Sequence, residues 1–256
     1  MPFTLSHAAA ALPFRRTRLI MSAVVVGCFA PDFEYFLGIH GGFGHTLIGI
    51  LVFDLPVALA VLWLFHRYAK EPLAACLPEG TRERLHLHSL LMDSGSRLAM
   101  ILASIFAGIA THILWDSFTH PRYWLYAHWH FLSETTRIPL FGDRPWFAIF
   151  QYISSVLGLL VILFWWIQWQ RNTPPHRSRP EQQELVTHDR VAVACAFAIA
   201  LLAAAVRAVL YGIPHGISGS QRFLTIIVVT ALTVFWAEVI AYGLVRNRSR
   251  SAIKVT

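Results

Sequence analysis

Charge is scarce in this sequence. Only 14% of the 256 residues are Asp, Glu, Lys or Arg, and just 14 are acidic. A soluble domain is usually about a quarter charged. So little charge over this length argues against a water-soluble globule. Cysteine is scarce too. Cys28, Cys76 and Cys195 lie far apart and form no CxxC pair. That spacing argues against a disulfide framework or a cysteine-built metal module, so they read as small packing residues. The string Val25-Val26-Gly27-Cys28 resembles a lipoprotein processing box. Small-residue strings are equally ordinary inside membrane helices, and packing is the simpler reading. No internal repeat is visible.

What is abundant is apolar. Hydrophobic residues make up 56%, with 9 Trp and 18 Phe, and they fall in long uncharged runs. This describes an all-α, polytopic membrane helical bundle, whose partner is the lipid bilayer. The formal charge of +7 then marks cytoplasmic loops and gives no reason to expect nucleic acid.

Six candidate transmembrane helices lie at 19–38, 46–66, 98–115, 150–170, 191–211 and 223–245. A crossing needs about 20 apolar residues. The first candidate falls short, because its uninterrupted part, 19–30, covers only about 18 Å. With the Arg15/Arg16/Arg18 cluster inside, 16 of the 21 basic residues fall in cytoplasmic segments and 4 in outside loops. That imbalance predicts a cytoplasmic C-terminus. The polar, Pro-rich stretch 171–190 reads as a cytoplasmic linker. It separates a bundle over 1–170 from a C-terminal helix pair with a basic tail over 191–256. The outside loop 117–149 is packed with Trp, Tyr, His and Phe, which suggests an ordered cap at the interface.

Several polar residues do not suit lipid. In "THILWDSFTH", His112 and Asp116 are one helical turn apart and share a face. An imidazole and a carboxylate at that spacing can reach one divalent cation, or can simply hydrogen-bond at a helix end. His120 follows one turn later, and Pro121 disfavours helix at that residue. In "APDFEYF", Asp32 is either a helix-start residue at the positive end of a dipole or a metal ligand. In "GGFGHTL", His45 follows glycines that allow backbone to approach a buried site, or is an interfacial histidine. His7 lies in the helix-prone "LSHAAAAL" and is a ligand or a core histidine. A hairpin turning at Arg15–Arg18 would leave His7 about 14 Å and Asp32 about 24 Å from the turn, a mismatch that a re-entrant or tilted helix would have to close. In "HWHFLSE", His130 and Glu134 form a second pair four apart, or belong to an aromatic surface loop. Asp54 either orients a ligand histidine from behind or pairs with Arg207.

All eight of His7, Asp32, His45, His112, Asp116, His120, His130 and Glu134 fall in the first 134 residues. Histidines and carboxylates at membrane depth are costly unless they pair or bind an ion. Ligands of this type suit Zn²⁺, or Mn²⁺ and Fe²⁺ where oxygen donors are more numerous. Zinc is the first expectation.

The ordered motifs "PFTLSH", "PDFEYF", "GHT", "FDLP" and "THILWDSFTH" resemble an uncharacterised family of bacterial membrane proteins known only as a domain of unknown function. More distantly, the order His, Pro-Asp, His, HxxxD is similar to inner-membrane metal-dependent hydrolases, and beyond them to zinc-dependent phospholipase C and P1-type nucleases. In those zinc enzymes an HxxxD pair and an HxxxE pair bind a zinc cluster. The resemblance implies that His112/Asp116 match the first pair and His130/Glu134 the second, with His7, Asp32 and His45 at the upstream positions. Those enzymes are soluble and secreted, whereas this chain has the composition of a membrane protein. The expectation is a metal-dependent hydrolase of the bacterial inner membrane acting on a phosphoester or phospholipid. Asp32 or Asp116 would take the proton, and Arg122 or Arg137 would hold the phosphate. The competing expectations are a non-enzymatic scaffold built round a structural metal or hydrogen-bonded cluster, and a metal or proton transporter.

Overall fold

A computed structural model describes residues 4–38, 42–85, 90, 93–121, 123–139, 142–175, 182–213 and 216–253. The chain opens with a 3₁₀ helix, Thr4–Arg16. After a turn come α1 (Met21–Gly27), a short 3₁₀ segment at Ala30–Asp32, and α2 (Phe33–Phe36). Three α segments follow, α3 (Leu47–Gly49), α4 (Leu55–Leu64) and α5 (Lys70–Ala75). π-helical stretches at Ile50–Asp54 and Phe65–Ala69 join them into one helix, Leu47–Ala75. Each π stretch lies just ahead of a proline, Pro56 or Pro72. Proline lacks an N–H and crowds the carbonyl four residues back, and a local i→i+5 pattern relieves that crowding. The remaining elements are α6 (Glu79–Arg82), α7 (Gly95–Thr119), α8 (Trp124–His128), α9 (Trp146–Asn172), α10 (Gln182–Tyr211) and α11 (Gly216–Ile253). A small antiparallel hairpin, β1 (Thr135–Ile138) with β2 (Gly142–Pro145), interrupts them.

The architecture is an all-α membrane bundle. Five helices among the described residues are long and apolar enough to cross a bilayer: Leu47–Ala75, Gly95–His128, Trp146–Asn172, Val186–Tyr211 and Arg222–Ser249. The sixth expected crossing, 19–38, is instead broken. α1 has 7 residues, and the chain turns at Cys28–Pro31. The Thr4–Arg16 helix and α1 form a hairpin whose turn carries Arg15, Arg16 and Arg18. Ala11 packs there on Val24 and Cys28.

The hairpin is fixed against α7. The Ile20 N–H donates to Ser104 Oγ at 2.9 Å, and the Cys28 carbonyl lies 2.7 Å from His112 Nδ1. α1 therefore runs beside α7 in the same direction. Gly27 and Gly108 make this approach possible: a Cβ on Gly27 would meet the Ile105 carbonyl, and one on Gly108 the Val24 carbonyl. Small residues at such crossings let helix backbones touch in lipid, where burial of apolar surface drives little. The hairpin also closes the expected length mismatch. A 3₁₀ rise of ~2.0 Å stretches the His7–Arg16 leg to about 18 Å. The break after Gly27 shortens the other leg. His7 and Asp32 thus reach one level.

The chain divides into two compact units, one of residues 1–62 and 91–172, the other of 63–90 and 173–256. The division falls inside the Leu47–Ala75 helix. In the second unit α10 and α11 pair, and Ala69, Ala196 and Val239 share a core. Arg246 bonds Glu71 and the buried Asp189, each at 2.7 Å, and Tyr242 donates to Asp189 at 2.8 Å. Residues 65–75 thus pack with the C-terminal helix pair. In the expected linker, 176–181 lie outside the described residues, and α10 already begins at Gln182.

Candidate metal centre

Three chain segments meet at Asp116. α7 supplies His112 and Asp116 from one face, and it ends at Thr119. His120 is extended (φ −133°, ψ 137°), the geometry that a following proline imposes. The hairpin supplies His7 and Asp32. The loop before α3 supplies His45. Thr46 caps the start of α3 by accepting from the Gly49 N–H at 3.0 Å, so the helix begins just after His45.

The distances are informative. His7 Nε2 lies 3.5 Å from Asp116 Oδ1. His45 Nε2, His112 Nε2 and His120 Nδ1 lie 3.5, 3.4 and 3.5 Å from Asp116 Oδ2. His112 Nε2 lies 3.8 Å from Asp32 Oδ1. Hydrogen bonds of these types run about 2.7–3.2 Å, so these contacts are too long. They match another geometry. Tetrahedral ligands with bonds of about 2.0–2.1 Å to one ion sit ~3.3 Å apart. His7 Nε2, His45 Nε2, His112 Nε2 and Asp116 Oδ1 are buried and make no hydrogen bond among the described residues. Polar atoms in that condition are expensive unless something unites them. Ligand atoms of His7, His112 and Asp116 lie within 4.8 Å of one another, as do those of Asp32, His45 and His112. The cluster is able to coordinate a metal ion.

The surrounding contacts orient the donors. A carbonyl can only accept, so the Cys28 carbonyl fixes a proton on His112 Nδ1 and leaves Nε2 facing Asp116. His7 stacks on His112 with centroids 4.2 Å apart. Tyr123 stacks on His45 at 5.2 Å. Thr4 Oγ1 donates to Asp32 Oδ2 at 2.7 Å. Glu34 is 1% exposed and accepts from the Gly42 and Gly44 N–H groups at 3.0 and 3.3 Å, clamping the loop that presents His45. Burial, reinforced by neighbouring His112, pushes His7 down to about 3. It is therefore neutral, with its lone pair available. Burial raises the Asp32 carboxyl, while His112 and Thr4 oppose that shift.

His7, Asp32, His45, His112, Asp116 and His120 are thus gathered. His130 and Glu134 are exposed and belong to neither group of mutually close ligand atoms. His130 begins a 3₁₀ turn, and its carbonyl accepts from the Glu134 N–H at 3.3 Å. Asp54 is fully buried within the first π stretch, and neither of its oxygens is hydrogen-bonded among the described residues. It abuts the loop of His45, since a Cβ on Gly44 would lie 2.8 Å from Asp54 Oδ1. Arg207 is exposed. Arg137 is exposed on β1, and Arg122 lies outside the described residues. Thr4, Glu34 and Tyr123 were not anticipated. Glu34 stands in the same "PDFEYF" motif as Asp32, and a buried acid there was the available signal.

No curated protein matches the chain, and no solved structure does. The family model described as Domain of unknown function (DUF4184) matches residues 1–244, and the chain belongs to that family.

Proposed function

We propose that this protein is a membrane-embedded, metal-dependent hydrolase of phosphoester bonds, with zinc as its metal. One observation carries the reading: buried histidine and aspartate atoms stand at the spacing of ligands round an ion, and His7 Nε2, His45 Nε2, His112 Nε2 and Asp116 Oδ1 make no hydrogen bond among the described residues. His7, His112 and Asp116, whose ligand atoms lie mutually close, would hold the cation, with His45 approaching from the group it forms with Asp32 and His112, and His120 at the more exposed edge. Such a cation supplies Lewis acidity and makes water a competent nucleophile near neutral pH. Asp32 accepts the proton. It is the carboxylate farther from His112, and Thr4 fixes its second oxygen. The i, i+4 spacing of His112 and Asp116 agrees with this chemistry, whereas the second pair that the resemblance implies, His130 and Glu134, takes no part in it. The basic-residue split supports a cytoplasmic C-terminus, and in this reading the site faces the opposite side of a bacterial inner membrane.

The near-complete burial of His7, His112 and Asp116 favours a second reading, a closed structural metal in a scaffold protein. One assay separates them. Purified protein loaded with Zn²⁺ is given a phospholipid in mixed micelles, beside Asp32→Asn. The hydrolase reading expects metal-dependent release of phosphorylated head group, lost in Asp32→Asn while metal content is kept. Stoichiometric metal with no turnover on phosphoesters supports the scaffold.

A further inference from the structure

The cluster has an apolar neighbour. A cavity of about 530 Å³ lies between the Thr4–Arg16 helix, α7 and α9. Its walls are Trp115 and Phe118 from α7 and Phe150, Ile153, Leu157 and Val161 from α9. Ser6, His7, Thr119 and Ser154 are the few polar residues that line it. His7 is therefore shared: one side belongs to the cavity wall, and its Nε2 faces Asp116.

We propose that this cavity holds one acyl chain of a membrane lipid, with the ester end of that lipid against His7. The chemistry of the walls sets aside a water-soluble occupant, because a polar ligand would leave its own groups unpaired. From Phe150 to Val161 the α9 wall is about 16 Å long. The same length is about half of a ~30 Å hydrocarbon core, the depth of one leaflet and so of one lipid tail. The cavity is continuous with a surface that lipid covers, since Ile153 and Leu157 are exposed on α9, a membrane-length helix with no buried residue. Gly158 maintains the wall: a Cβ there would meet Ser6 Cβ and O at 2.7 Å, so a side chain would part α9 from the His7 helix. The substrate of the site above is then an acyl lipid. That last step rests on the hydrolase reading, whereas occupancy by a chain does not.

The test is photolabelling of the full chain, reconstituted in phosphatidylcholine vesicles. The vesicles contain a trace of phosphatidylcholine with a diazirine midway along one acyl chain. Peptide mapping locates the adducts, with and without EDTA. The expected result is severalfold more label at Ile153, Leu157 and Val161 than at Leu160, Leu163 and Phe164, exposed residues of α9 that do not line the cavity. Ser154→Trp, which fills the cavity, should abolish the excess, and Leu160→Trp should leave it. Labelling spread evenly over the exposed residues of α9, or an excess that survives Ser154→Trp, overturns the proposal. EDTA should not change the pattern. A protein without metal or turnover but with the excess label would remove the hydrolase reading and keep the lipid site. Turnover with even labelling would do the reverse.

Discussion

Asp116→Asn keeps the shape of the side chain at the centre of the cluster and removes its charge. Four histidine nitrogens lie 3.4–3.5 Å from the Asp116 oxygens. None of these contacts is a good hydrogen bond, so the metal-free fold should lose little, within about 1 kcal/mol. Metal affinity should fall far more. Changes behind a ligand typically cost 10–100-fold in affinity, and loss of an anionic ligand should cost at least about 100-fold. That is about 2.7 kcal/mol, at ~1.36 kcal/mol per factor of ten. Linkage converts the loss into stability, because metal at 100 times its Kd stabilises the folded state by about 2.7 kcal/mol. For a chain of this size that is a shift of roughly 5–10 °C. The assay is thermal unfolding in detergent, with Zn²⁺ and then with excess EDTA. Wild type should fall by that amount on chelation, whereas Asp116→Asn should start near the chelated value and not respond. A variant that still loses roughly 5–10 °C in EDTA would refute the reasoning, as would a wild type indifferent to EDTA.

Other perturbations follow from the same contacts. Gly108→Leu drives a side chain into the Val24 carbonyl and should cost about 1–3 kcal/mol. Parting α1 from α7 also breaks the His112–Cys28 bond, so metal content should fall with the thermal midpoint. Glu34→Gln weakens the clamp on Gly42 and Gly44, and equilibrium dialysis should show about a tenfold loss of metal affinity through misplacement of His45. Asp189→Ala leaves Arg246 without its buried partner and should destabilise the second unit by about 3 kcal/mol in detergent melts, with metal content unchanged.

The five long helices were legible because lipid demands unbroken apolar runs of about 20 residues. His112 and Asp116 were legible because the helical period alone puts them on one face. The hairpin was not. "LSHAAAAL" has α-helical propensity, yet it lies in a 13-residue 3₁₀ helix. Packing against α1, α7 and α9 overrides that preference, and no local pattern records it. The grouping of 65–75 with the C-terminal helices was equally hidden, since the Glu71–Arg246 pair joins residues 175 positions apart. Thr4 and Tyr123 reach the cluster from separate segments with ordinary composition, so only their placement reveals them.

Elemental analysis joined to X-ray absorption at the metal edge tests the central claim most directly. Full-length protein purified in detergent and dialysed against metal-free buffer should retain a stoichiometric divalent cation. Its first coordination sphere should show nitrogen and oxygen donors at about 2.0–2.2 Å with imidazole scattering behind them, and His112→Ala should lose both the metal and the signal. Protein without stoichiometric metal, or an edge spectrum lacking imidazole, would contradict the account.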